Sequence, residues 1–275
     1  MKKLIIYFVL VFTTVLFSSC EDVIDVDLNN AEPKLVIDGI IKWQKGTTGA
    51  EQVIKLSLTN DFFTNDILAA NGASVTITNS LNETFIFLED GVTGNYICNN
   101  FNPVIGETYS LVVVYNGELY SATNTFVSGP PILNVQQEIA QGFGGEDEIE
   151  VKYFFQDNGS EDNYYLLGVK NPNKQIPEFG VVSDEFFQGN LMFGFYGSSE
   201  TESGITLKLS VQGITFGYYN YMNILTTIAG SGTGNPFATP PATLRGNIIN
   251  QTNSDNFPLG YFHLSEIDEI DYLVQ

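Results

Sequence analysis

From residue 35 onward the apolar positions recur every second residue rather than every third or fourth, which is the period of a strand that buries one face. The runs are Leu35-Val-Ile-Asp-Gly-Ile-Ile41, Gln52-Val-Ile-Lys-Leu-Ser-Leu58, Ala73-Ser-Val-Thr-Ile-Thr78, Thr84-Phe-Ile-Phe-Leu88, Tyr109-Ser-Leu-Val-Val-Val-Tyr115 and Tyr120-Ser-Ala-Thr-Asn-Thr-Phe126. Each is rich in β-branched or aromatic residues, and turn residues separate them. Asn116-Gly117 is the sharpest punctuation, because both residues accept the positive φ of a type I′ turn. It predicts a tight hairpin between Tyr109–Tyr115 and Glu118–Phe126. Six or seven short strands in about a hundred residues predict an immunoglobulin-like or transthyretin-like β-sandwich over residues 33–128.

Ser128-Gly-Pro-Pro-Ile132 interrupts this pattern. Consecutive prolines cannot continue a central strand and favour a stiff, extended connector. A second β-rich domain is expected over 129–275, with strands at Val135–Ile139, Glu148–Asp157, Tyr164–Val169, Leu191–Tyr196 and Ile205–Gln212. One short helix is expected near 218–229, where Tyr218, Tyr221, Met222, Leu225 and Ile228 fall on one face and Gly230-Ser-Gly-Thr-Gly234 ends it. The fold class is therefore all-β, a sandwich followed by a second β domain with one helix.

Charge narrows the function. The 275 residues hold 32 Asp and Glu against 11 Lys and Arg, a net −21. Nucleic-acid binding needs a basic footprint, and a chain this acidic has none. Chemistry is narrowed too, because there is one histidine, His263, and two cysteines, Cys20 and Cys98. A His-rich metal site, a Cys₄ zinc site and a redox CxxC all need more ligands than that. No GxSxG elbow, GxxxxGK[ST] loop or GxGxxG loop occurs. His263 reads as a strand residue and Cys98, in Asn95-Tyr-Ile-Cys-Asn99, as a small buried one.

The first residues form a separate unit. Met1-Lys-Lys3 is positive, Leu4–Phe17 is apolar apart from Thr13 and Thr14, and Ser18-Ser-Cys20 follows. The apolar run is shorter than the ~20 residues of a membrane-spanning helix, so 1–19 reads as a secretory signal peptide. Its small-small-Cys ending resembles the lipobox of bacterial lipoproteins, in which the cysteine is acylated and becomes the new N-terminus. Phe17 departs from the usual residue there. Lipidation of Cys20 would leave 20–32 as an acidic tether, and acyl chains would be the only hold on the membrane. Loss of Lys2 and Lys3 would leave nine basic against 32 acidic residues, a balance of −23. Glu21 and Asp22, with Asp25 and Asp27, resemble the signal that exports lipoproteins of the Bacteroidota to the outer face of the outer membrane. Their plainer role is to keep the tether solvated.

Several segments in order resemble the domain of unknown function 4249 family of Bacteroidota lipoproteins. They are Cys20-Glu-Asp-Val-Ile-Asp-Val-Asp-Leu28, Ala31-Glu-Pro-Lys-Leu-Val-Ile-Asp-Gly39, Gly72-Ala-Ser-Val-Thr-Ile-Thr78, Gly106-Glu-Thr-Tyr-Ser-Leu111 and Tyr120-Ser-Ala122. In the second half they are Ser183-Asp-Glu-Phe-Phe-Gln-Gly189, Gly234-Asn-Pro-Phe-Ala-Thr-Pro-Pro241, Gly246-Asn-Ile-Ile-Asn250 and Leu259-Gly-Tyr-Phe262. The resemblance implies an accessory lipoprotein of a TonB-dependent outer-membrane receptor, displayed on the cell surface, with no established catalytic activity.

Three clusters carry candidate chemistry. Asn235, Phe237, Arg245 and Asn247 are the residues that would meet a partner or ligand if the Gly- and Pro-rich loop faces one. The structural reading is that Asn235, Asn247 and Asn250 cap backbone groups, while Arg245, the only arginine, pairs with a carboxylate. Glu146-Asp-Glu148 and the turn carrying Asp157, Glu161 and Asp162 are oxygen-rich and are candidates for an ion, Ca²⁺, although the spacing of a calcium loop is missing. No cofactor is otherwise called for. Phe179–Tyr196 is dense in aromatics, which are expected in the core, or, if exposed, against a sugar or a protein. Three functions follow: a non-enzymatic binding or accessory lipoprotein at a receptor, a structural subunit of an envelope complex without a small ligand, and a hydrolase using two of the many carboxylates.

Overall fold

The computed structural model describes residues 32–60, 66–141, 145, 147–231 and 244–275. Pro33–Gln275 forms one compact unit. Its first part contains β1 (Leu35–Gln44), β2 (Gln52–Leu58), β3 (Leu68–Ala69), β4 (Ser74–Asn79), β5 (Thr84–Glu89), β6 (Asn95–Cys98), β7 (Thr108–Tyr115) and β8 (Glu118–Thr125). The second contains β9 (Ile132–Gln141), β10 (Asp147–Gln156), β11 (Tyr164–Lys170), β12 (Glu178–Ser183), β13 (Leu191–Gly197), β14 (Thr206–Ile214), the helix α1 (Phe216–Ser231), β15 (Ile249–Asn250) and β16 (Leu259–Leu273). The all-β sandwich class read from the period of two is the architecture observed.

Alternation builds the first core. Leu35, Ile37 and Ile41 of β1 point inward with Ile54 and Leu56 of β2, and Val75, Ile77, Tyr109, Leu111 and Val113 close on them from β4 and β7. Strand β5 joins the two layers, because Phe87 and the residues before it pair with β4 while Leu88 and Glu89 pair with β6. The β7–β8 hairpin turns at Asn116 (φ 49°) and Gly117 (φ 79°), as its sequence predicts. Cys98 is buried in this core.

The second core is a separate sandwich. The sheet β13-β10-β9 lays Val151, Tyr153, Phe155, Met192 and Tyr196 against Val169, Leu207, Leu209 and Val211 of β11 and β14. One strand serves both cores. The first residues of β16 run parallel to β1, from Val36↔Leu259 to Gln44↔Ile267, and its last residues run antiparallel to β14, from Gln212↔Ile267 to Thr206↔Leu273. The Ser128–Pro131 connector lies along this strand: Val127 bridges Ser265, and the Gly129 amide donates to Glu266 Oε2 at 3.2 Å.

Helix α1 lies on the outward face of the same sheet. Tyr218 and Met222 are buried, but Leu225 is 38% exposed, so the buried stripe is shorter than the five residues expected. Beneath it His263 is fully buried, stacked on Tyr218 with ring centroids 4.5 Å apart. Its Nε2 faces the Gly213 carbonyl at 3.4 Å and its Nδ1 has no partner. Burial pushes its pKa down to about 3. The folded protein thus holds fewer protons than the unfolded chain between pH 6.5 and 3, so this residue costs stability as pH falls through that window. One proton corresponds to about 1.4 kcal/mol per pH unit. His263→Gln, which keeps a donor for Gly213, is expected to flatten the acid limb of a urea-denaturation series by that slope.

Candidate functional site

The outward face of the second sandwich is the first candidate. Along β13 residues 192, 194 and 196 face inward, which forces Leu191, Phe193 and Phe195 outward. They are 53%, 50% and 53% exposed. Gly194 is required because a Cβ there would lie 2.2 Å from the Tyr153 ring. Phe154 of β10 pairs with Phe193 and extends the patch inward, their ring centroids 5.7 Å apart. Phe186 (83% exposed) and Phe187 stand on the turn before β13. The aromatics of this segment therefore lie largely at the surface, which corrects the expectation that they are core: a strand at the rim of a sandwich has only one face to bury.

Strand β13 is also an edge, since among the described residues it pairs with β10 alone. Edges are ordinarily guarded by lysine, proline or a bulge. Leu-Met-Phe-Gly-Phe-Tyr-Gly has neither residue, and its register with β10 is unbroken over seven pairs. The ion pair between Lys152 and Glu138 limits the patch on its far side.

A cleft of about 740 Å³ between α1 and the outward face of β1 and β2 is the second candidate. Asp38 of β1 stands directly opposite Lys55 of β2, with Lys42 and Glu51 nearby on the same floor. Loss of water raises the Asp38 pKa, against the opposing pull of Lys42 and Lys55. The wall is Tyr218, Tyr221, Met222 and Leu225 of α1 with Tyr261 of β16. The three tyrosines pack on one another, Tyr261 lying 4.9 Å from both Tyr218 and Tyr221. Desolvation, with the Asp38 charge second, raises the pKa of Tyr218 and of Tyr221.

The residues singled out in the sequence separate into three groups. Cys20, Glu21, Asp22, Glu146, Asn235 and Phe237 lie outside the described residues. Arg245 and Asn247 are described and do not converge on a cavity. Asn247 caps backbone as expected, donating to the Phe262 carbonyl at 2.9 Å and accepting from its amide at 2.8 Å. Asn250 also caps backbone, its Oδ1 accepting from the Thr252 and Asn253 amides and its Nδ2 donating to the Asn256 carbonyl. Arg245 has no carboxylate partner among the described residues; its guanidinium lies 3.8 Å from the centre of the Phe257 ring, whose other cationic neighbour is Lys34 at 3.9 Å. A cation–π contact replaces the expected ion pair.

Asp157, Glu161 and Asp162 do not form a calcium cage, and among the described residues no group of three or more His, Cys, Asp or Glu is placed to hold a metal. Asp157 is buried and already satisfied. Its Oδ1 accepts from the Tyr165 hydroxyl at 2.6 Å and its Oδ2 from the Gly189 amide at 2.6 Å, while Glu161 accepts from Asn158. Removing the carboxylate strands the buried Tyr165 hydroxyl and frees the partly buried Gly189 amide, and charge-assisted bonds are worth about 1.5–3 kcal/mol each. Asp157→Ala is expected to lose roughly 3 kcal/mol in urea denaturation, with the melting temperature of the unaltered protein indifferent to EGTA.

Among the described residues no helix is long and apolar enough to cross a membrane. No curated protein matches the chain. Solved structures similar to it include a cytokine receptor complex (8% identity, 66% of this chain and 89% of that one, TM-score 0.26). A two-domain fibronectin type III segment of chicken tenascin matches at 12% identity, 66% and 90% coverage and a TM-score of 0.22. A DUF4785 family protein from Legionella pneumophila matches at 12% identity, 66% and 51% coverage and a TM-score of 0.25. The family is given by a match that runs almost from end to end: residues 21–271 fit the domain of unknown function DUF4249, and the chain belongs to that family.

Proposed function

We propose that this protein is a lipid-anchored accessory protein of the outer membrane, held by acyl chains on Cys20 and displayed on the cell surface, where it docks on a TonB-dependent receptor and assists substrate capture. The observation that carries the reading is the exposed aromatic face of β13 on an unpaired sheet edge. Aromatic residues dominate the energy of protein interfaces, and an open edge offers backbone donors and acceptors to an added strand. The lipobox-like Ser18-Ser-Cys20 and the acids behind it support the location. A strongly negative body is repelled by anionic headgroups, so acyl chains and a protein partner are what would retain it.

Affinity purification from native membranes in mild detergent tests this reading. A co-purifying TonB-dependent receptor is the expected result, and recovery of the protein alone contradicts it. Protease shaving of intact cells tests the display: cleavage without lysis is expected.

A further inference from the structure

We propose that the cleft between α1 and the outward face of β1 and β2 is a binding site for a short neutral saccharide. This rests on the cleft alone and is independent of the docking face on β13.

The charge on the floor decides the ligand's net charge. Asp38 and Glu51 would repel an anion, and Lys42 and Lys55 would repel a cation. The four charges balance, so the cleft suits a molecule without net charge. Asp38 and Lys55 are cross-strand neighbours, a placement that ordinarily yields an ion pair. Asp38 feels the pull of Lys42 and Lys55, but none of the four charges closes into a direct side-chain ion pair among the described residues. The hydroxyls of Tyr218, Tyr221 and Tyr261 likewise have no hydrogen-bond partner among the described residues.

A ligand that uses such a floor must donate to carboxylates and accept from ammonium groups within a few ångströms. A hydroxyl does both, and neighbouring hydroxyls on one ring span a carboxylate and an ammonium held apart. The wall asks for the other half of the same molecule. The exposed Leu225 and the partly buried Tyr221, backed by the buried Tyr218, Met222 and Tyr261, offer apolar surface to the C–H face of a sugar ring. An apolar surface with a few convergent polar groups is the usual make-up of a small-molecule site, and about 740 Å³ lies within the range such sites occupy. The tyrosine rings are packed on one another and leave no open cage for an organic cation.

The test is calorimetric titration of the mature, detergent-solubilised protein with maltotriose, cellotriose and chitotriose, alongside glucose 6-phosphate and spermidine as charged probes. At least one neutral saccharide is expected to bind. Asp38→Asn and Lys55→Met are each expected to weaken it by about tenfold or more, the loss of one charge-assisted bond, with the melting temperature unchanged. Phe193→Ser, on the opposite sandwich, is expected to leave saccharide binding intact. The proposal is overturned if none of the three saccharides binds, if a charged probe binds more tightly, or if both floor variants bind as the unaltered protein does.

Discussion

Replacing Gly260 with alanine is expected to destabilise the protein by roughly 3–5 kcal/mol, a large part of the ~5–15 kcal/mol available to a folded domain. Gly260 has φ +96°, where an L side chain is strained. A Cβ there would also lie 2.0 Å from the carbonyl oxygen of Ile37, its parallel partner on β1. The Gly260 backbone is also closely approached by Gly246, where an added Cβ would lie 1.7 Å from the Gly260 carbonyl, so β16 has little room to shift. Neither obstacle is a flexible side chain, so relief requires β16 to withdraw from β1, the pairing that ties the C-terminal strand into the first sandwich. Gly46→Ala is the control: Gly46 has φ +82° but nothing near its missing Cβ, so strain alone costs about 1–2 kcal/mol. Urea denaturation of the two variants measures the difference. Equal losses would mean that β16 does not close on β1 as tightly as described.

The second large effect is expected on association rather than folding. Phe193→Ser combined with Phe195→Ser removes the two central rings of the β13 face, both about half exposed. An aromatic hot spot contributes about 2 kcal/mol or more, so even if only one of the two rings is such a residue, receptor capture is expected to fall by at least about thirtyfold. Folding is expected to be indifferent, because neither ring belongs to a buried core and two exposed apolar surfaces are removed. Phe155→Ser, one pair away on β10 but fully buried, is expected to do the reverse and lower the melting temperature steeply. Loss of capture together with loss of folding in the Phe193/Phe195 variant would return these rings to the core and remove the docking face.

The first sandwich was legible because its strands alternate cleanly: buried and exposed residues interleave along β2, β4, β5 and β7 as the apolar pattern predicts. The central strand β16 was not. Its segment Tyr261–Ser265 is buried on both faces, and its later residues include Glu266, Asp268, Glu269 and Asp271. Such a strand shows no period of two and looks like a loop beyond its first residues, although it joins the two cores. The exposed side of β13 was hidden for the opposite reason: apolar residues on both faces look the same in sequence as a doubly buried strand. Gly194 was the available signal, since a glycine amid Met-Phe and Phe-Tyr marks a close approach on one face only.

The cleft was illegible because its parts are scattered over β1, β2, α1 and β16. Tyr218, Tyr221 and Met222 fell on the predicted helical stripe, but nothing in the sequence placed Asp38 and Lys55 beneath them. The Asn247 and Asn250 caps were readable from residue type and neighbouring glycines. The pairing of Arg245 with Phe257 was not, because a cation–π contact leaves no spacing rule.

The central claim is that the face of β13 meets an outer-membrane receptor. Site-specific photocrosslinking in intact cells addresses it most directly, with a photoreactive phenylalanine analogue at position 193 and, as control, at exposed position 81 on the first sandwich. A covalent adduct from position 193 whose second component is a TonB-dependent receptor is expected, and none from position 81. An adduct from 81 and not from 193, or a 193 adduct with a protein outside the outer membrane, would contradict it.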